Sequence, residues 1–145
     1  MSATIKSLVE SGIPVMGHIG TQPQSVNKYG GYIVSGRQPA EKEKLIKDAL
    51  AVEAAGAFAI VLEKTDKKAA AMAAKAVKIP VIGIGAGPEC DGQVLVTYDM
   101  LGFFNDFNPR FVRKYESMSD RAVKAMKHFR NDVKSGKFPG KRYSY

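Results

Sequence analysis

Four short apolar runs punctuate the chain: IPVMGHI at 13–19, AFAIVLE at 57–63, IPVIGIG at 79–85 and QVLVTYD at 93–99. They are rich in Val and Ile and mostly lack the alternation of a strand with one wet face. That pattern predicts parallel strands covered on both faces. Between them the apolar positions follow a helical period. In DKKAAAMAAKAV, residues Ala69, Met72, Ala73, Ala76 and Val77 recur at i, i+3, i+4, i+7 and i+8, one buried helix face, with Thr65 as N-cap and Asp66 in the first turn. In AEKEKLIKDALAVEAAG, Pro39 sits at the start, Leu45, Ile46, Ala49 and Val52 share a face, and Gly56 stops the helix. SMSDRAVKAMKHFRNDVKSG predicts a further helix with Ser119 as N-cap, Ala122, Met126, Phe129 and Val133 on one side, and Gly136 as the stop. TIKSLVESG predicts a short helix ahead of the first strand.

Alternation of strand and helix points to an α/β fold with parallel strands. Only AGPECDG separates the third and fourth runs, whereas a parallel crossover normally needs a dozen or more residues. Either a single helical turn makes that crossover, or the two strands are not simple neighbours. Two runs open with the same IPV, at Ile13–Val15 and Ile79–Val81, a recurring helix-to-strand joint of the kind a barrel repeats. Four strands cannot close a (β/α) barrel, which needs eight. The pattern therefore describes a small open sheet, or half of a barrel.

Composition narrows this picture. A length of 145 residues suits one domain, here taken as 1–145, and 45% apolar content can bury a core. No apolar run reaches the ~18 residues of a spanning helix, and MSATIKSLVE lacks the apolar centre of a signal peptide. The single cysteine, Cys90, excludes an internal disulfide and fits a reducing compartment, so a cytoplasmic protein without a membrane partner is expected. Net charge is +8, with Lys+Arg 22 against Asp+Glu 14. The lysines are spread over helical faces and mixed with acids, and they culminate in a basic C-terminal tail at 136–145. Without interleaved aromatic platforms, no nucleic-acid partner is expected; the field would instead steer a small anion.

Functional residues of parallel α/β folds gather at the carboxyl ends of strands. His18 ends the first run and is followed by a polar, glycine-rich stretch, 19–38, holding Gln22, Gln24, Ser25, Asn27, Lys28, Tyr29 and Tyr32. A loop of that length and content suits a lid over a polar ligand at an active site; His18 alone would equally suit a core histidine. Glu63 ends the second run, where an acid either meets solvent or acts as a base; a carboxylate lodged among apolar walls is a standard base near neutral pH. GIGAG at 83–87 allows close backbone approach to a ligand but matches neither G-x-G-x-x-G nor a P-loop, so turn geometry explains it as well. CDGQ at 90–93 contains a turn dipeptide and a cysteine with no spaced partner, which argues against a zinc site or a catalytic thiol.

Taken in order, GIPVMGHIG, PQSVNKYGGYIVSGR, DALAVEAAGAFAIVLE, IPVIGIGAG, CDGQVLVTYDMLG and the late FPG resemble the C-terminal half of the ketopantoate (3-methyl-2-oxobutanoate) hydroxymethyltransferase family, over about residues 4 to 143. The resemblance implies a (β/α)8 TIM barrel of about twice this length, of which this chain is strands 5–8 plus the C-terminal helix. It implies transfer of a hydroxymethyl group from 5,10-methylenetetrahydrofolate to 3-methyl-2-oxobutanoate, giving 2-dehydropantoate in pantothenate biosynthesis, with Mg2+ chelating the keto acid. Glu63 matches the family's base for the C3 proton and His18 its substrate-binding histidine. The metal-ligating aspartates, a supporting glutamate and the substrate-binding serine and lysine belong to the family's N-terminal half, so no metal ligand is expected in this chain. Thr21 and Gln22 of GTQPQSV stand where the family usually has Leu-Thr. The expectation is a chain inactive alone, acting as a homo-oligomer or with a complementing N-terminal half. The alternative is a non-catalytic half-barrel that binds a small anion or self-associates.

Overall fold

The structure, a computed structural model, describes residues 2–22, 33–106 and 108–145. Of the expected active-site loop 19–38, the part holding Gln24, Ser25, Asn27, Lys28, Tyr29 and Tyr32 lies outside the described residues. The chain divides into two compact units, Met1–Val94 and Leu95–Tyr145.

The first unit runs α1 (Ser2–Glu10), β1 (Met16–Gly20), α2 (Pro39–Ala54), β2 (Ala59–Glu63), α3 (Lys67–Ala76), β3 (Val81–Ile84) and β4 (Gly92–Gln93). All pairings are parallel and the order is β1-β2-β3-β4, an open sheet. Helix α2 starts at Pro39, as the sequence predicts, and the Glu41 carboxylate reaches back to accept from Gln38 N–H (3.2 Å) and Arg37 N–H (2.9 Å). At α3 the cap differs from expectation. Asp66, not Thr65, is the N-cap: its Oδ1 accepts from Lys68 N–H and Ala69 N–H at 3.1 and 3.2 Å. Thr65 turns inward and is buried. The buried stripe of α3 is Ala69, Ala70 and Ala73, whereas Met72 is 49% exposed and Ala76 is exposed. The alanine side packs because it lets α3 approach α2 and the sheet closely.

The strands are shorter than their apolar runs and begin just after Pro14-Val15 and Pro80, where proline withholds a ladder donor. One sheet face, with Ile19, Ile60, Leu62 and Val81, joins Leu45, Ala49, Val52, Ala69 and Ala73 in the core. On the other face Ala59 and Ile84 are buried while His18, Val61, Glu63 and Ile82 are half-buried, so that face is covered only in part, less than the apolar character of the strands suggests. Gly17 sets how close α2 comes: a Cβ there would run into Val52 Cγ1.

The fourth predicted strand, 93–99, is reduced to Gly92–Gln93. It does neighbour β3, and residues 85–91 make the parallel connection without a helical turn. Asp91 makes this possible: its carboxylate accepts from Val81 N–H at 2.8 Å, tying the end of the connection back to the start of β3. Val94 N–H reaches Gly83 O (3.0 Å), and the chain then leaves the sheet.

The second unit contains a single helical turn, α4 (Thr97–Met100), the long helix α5 (Met118–Lys134) and a 3-10 turn at Lys141–Tyr143. Ser117 rather than Ser119 holds the N-cap position of α5, since its carbonyl takes the first helical amide, from Arg121 (3.2 Å). The apolar positions Met126, Phe129 and Val133 are exposed along α5, and Phe129 meets Phe138 edge to face at 5.3 Å.

Candidate active site

The carboxyl ends of β1 and β2 meet side by side. Their register pairs His18 with Val61 and Gly20 with Glu63, which puts His18 and Glu63 diagonally on the half-buried sheet face. His18 Nε2 lies 3.2 Å from Glu63 Oε2, with the side chains 35% and 18% exposed. Nε2 itself is shut off from solvent and, among the described residues, has no partner in hydrogen-bonding geometry, so the contact with Glu63 is close but not aligned. It is an ion pair only when the imidazole is protonated. Val61, Ile82 and Ile84 occupy the neighbouring positions by register, which gives the carboxylate the apolar flank expected of it.

Gly20 allows the two strand ends to touch. Its φ is +89°, and a Cβ there would sit 2.7 Å from Thr65 Oγ1 and closer still to the Glu63 carbonyl oxygen. Just past Glu63 the backbone enters the left-handed region at Lys64, φ +45°, uncommon for a residue with a side chain. A set of hydrogen bonds surrounds this bend. Thr21 N–H and the Thr65 hydroxyl both donate to Glu63 O, at 2.9 and 3.0 Å. Ser35 N–H donates to Lys64 O (3.1 Å), Asp66 N–H donates to Ser35 O (2.8 Å), and Lys64 N–H donates to Ile84 O (2.8 Å). The Thr21 hydroxyl donates to Ile33 O at 2.9 Å, meets Ser35 Oγ at 3.1 Å and lies 3.3 Å from Lys64 O. Sequence reasoning missed the role of Thr21, Ser35 and Thr65; the one signal was the polar Thr21 where the resemblance leads one to expect leucine.

The remaining candidates separate from this centre. The space beside Gly83 is taken by Cys90 Sγ and the Gln93 amide, within 3.0–3.2 Å of where a Cβ would be, so this glycine serves internal packing. Gly85 and Gly87 supply positive φ to the turn. The Cys90 thiol is pushed above its ordinary pKa, first by burial and then by the Asp91 carboxylate, the opposite of an activated nucleophile. A cleft of about 500 Å³ opens along the free edge of β1, lined by Ile5, Val15, His18, Gln22, Asp48 and Val52 among others; it reaches His18 but not Glu63. Among the described residues no three His, Cys, Asp or Glu side chains converge as a metal site. Mg2+ asks for an octahedron largely of oxygens, and Glu63 with His18 does not fit that requirement.

A model of the ketopantoate hydroxymethyltransferase family matches residues 1–141. The chain belongs to that family. It is 50% identical over 141 residues to a 3-methyl-2-oxobutanoate hydroxymethyltransferase of Caldicellulosiruptor bescii, covering 97% of this chain and 53% of the relative. It is 51% identical over 145 residues to the enzyme of that name from Chlorobaculum tepidum, covering 100% of this chain and 52% of the relative. The chain thus spans about half the length of the curated relatives it matches.

Proposed function

We propose that this chain supplies the proton-abstracting half of a hydroxymethyl transfer from 5,10-methylenetetrahydrofolate to 3-methyl-2-oxobutanoate. Its four strands are strands 5–8 of a (β/α)8 barrel, and Glu63 is the base. The observation that carries this reading is the Glu63 carboxylate at the carboxyl end of β2, 18% exposed, flanked by apolar positions and 3.2 Å from His18. A C–H beside a ketone is a weak acid. A carboxylate that is poorly solvated and fixed in place is suited to take that proton. His18, on the same face, contacts the substrate, and the net charge of +8 favours arrival of an anionic keto acid. The negative charge that develops on the keto oxygen needs electrophilic help, which the described residues do not offer. We therefore assign that part to the half of the relatives that this chain does not span.

The test mixes the purified chain with keto acid, folate donor and Mg2+, with and without the N-terminal half of the Caldicellulosiruptor bescii relative. Turnover appears only in the mixture and is lost in Glu63→Gln. Turnover by the chain alone would sink the shared-site reading. A second reading, a self-associating half-barrel without this catalysis, draws on the open edge of β1 and the cleft along it. It predicts a defined oligomer of the chain alone and no gain from the added half.

A further inference from the structure

We propose that Thr21 is a positioning residue: its hydroxyl, with that of Ser35, seats residues 33–35 on the end of β1, and that segment holds the backbone just after Glu63 and so aims the carboxylate at His18. The inference rests on Glu63 being the base. It cannot be taken over from the family, whose usual residue at this position is leucine and has no hydroxyl to give.

The backbone after Glu63 is in a conformation it would not choose. Lys64 sits at φ +45°, and a turn of this kind persists when its surroundings over-determine it. Here they do. Glu63 O accepts from Thr21 N–H and from the Thr65 hydroxyl, and Lys64 O accepts from Ser35 N–H with the Thr21 hydroxyl 3.3 Å away. A hydroxyl has one proton and two lone pairs. The shortest distance gives the Thr21 proton to Ile33 O (2.9 Å), which leaves Thr21 Oγ1 free to accept from Ser35 Oγ at 3.1 Å. One side chain therefore joins the end of β1 to residues 33–35, and the Ser35 backbone in turn holds the bend that follows β2, donating to Lys64 O and accepting from Asp66 N–H. Thr21 and Thr65 are 4% and 3% exposed, so water cannot replace either hydroxyl cheaply. Without the Thr21 hydroxyl, Ile33 O and Ser35 Oγ lose that partner, and the Ser35 backbone that grips Lys64 O and Asp66 N–H is less firmly seated. The carboxylate is a single residue from that bend, so loosening there changes the direction of Oε2 before it disturbs the core strands.

The experiment compares Thr21→Val, which keeps the shape and removes the hydroxyl, with Thr21→Ser, which keeps the hydroxyl, by NMR on the full chain. In Thr21→Val the amides of Ser35 and Asp66 exchange about tenfold faster, while those of Ile60 and Leu62 keep their protection. The His18 ring resonances move toward their positions in Glu63→Gln. Thr21→Ser stays at wild-type values on both readouts. Ser35→Ala removes the second hydroxyl and gives the Thr21→Val pattern, so the test survives if Thr21→Val folds poorly. In the reconstituted enzyme Thr21→Val lowers kcat about tenfold with KM nearly unchanged. The proposal is overturned if Thr21→Val and Ser35→Ala leave the His18 resonances and the Asp66 exchange rate as in wild type, or if Thr21→Ser behaves like Thr21→Val. Reconstituted activity that survives Glu63→Gln overturns the base assignment instead, a result distinct from failure of the clasp.

Discussion

On the helix side of the sheet, Ile60 and Leu62 are completely buried, and Ala49, Ala69 and Ala73 close over them. One residue further along the same strand, on the opposite side, Val61 and Glu63 are only half-buried. Both sets come from the five residues of β2, and the strand period of two alone decides which side each serves. The helix side is filled with aliphatic groups and no charge. The other side keeps a carboxylate and an imidazole within 3.2 Å of each other without an aligned hydrogen bond. The difference teaches that one short strand can give one side wholly to aliphatic packing and keep titratable side chains on the other, residue by residue.

The sharpest break of that comparison is Glu63→Gln. In the reconstituted enzyme it should lower turnover by about 10²–10⁴-fold, the range of general-base catalysis, while the chemical-denaturation midpoint of the chain stays nearly unchanged. Leu62→Ala should do the reverse. It opens a cavity in the packed side and should cost about 2–5 kcal/mol, read from urea unfolding. Val61→Ala, its neighbour on the half-buried face, should cost roughly 1 kcal/mol or less; equal losses at 61 and 62 would show that both faces carry the core. Gly20→Ala lies where the two sides meet. A side chain at φ +89° crowding the Glu63 carbonyl should destabilise by about 1–3 kcal/mol. Asp66→Ala removes the cap of α3 and should cost about 1 kcal/mol. The smallest effect is at Cys90. Its raised pKa predicts slow alkylation at neutral pH, with the rate rising as pH passes the ordinary thiol range, and Asp91→Asn should speed it modestly by removing the second cause of the shift.

Much of the helix side was legible in the sequence, because Leu45, Ala49 and Val52 on α2 and the apolar runs of β1 to β3 announce their own periods. The site was legible in part. Glu63 and His18 stand at strand ends, where an α/β fold collects its chemistry, and the resemblance gave each a role. What was not legible depends on residues distant in sequence. Thr65 reads locally as a cap, yet it turns inward because Glu63 O and Gly20 are there to receive it. Thr21 meets Lys64 O, 43 residues away, and no local pattern encodes such a pairing. The run at 93–99 failed for a similar reason: Val94 and Val96 are strand formers, but β3 pairs with this segment only as far as Gly92–Gln93 in named register.

The bond from Thr21 to Ile33 O spans twelve positions of sequence, so one hydroxyl fixes where residue 33 meets the β1–β2 joint. A change at position 21 is therefore felt at once on the end of β1 and on residues 33–35, two places that a substitution elsewhere on either segment would reach only singly.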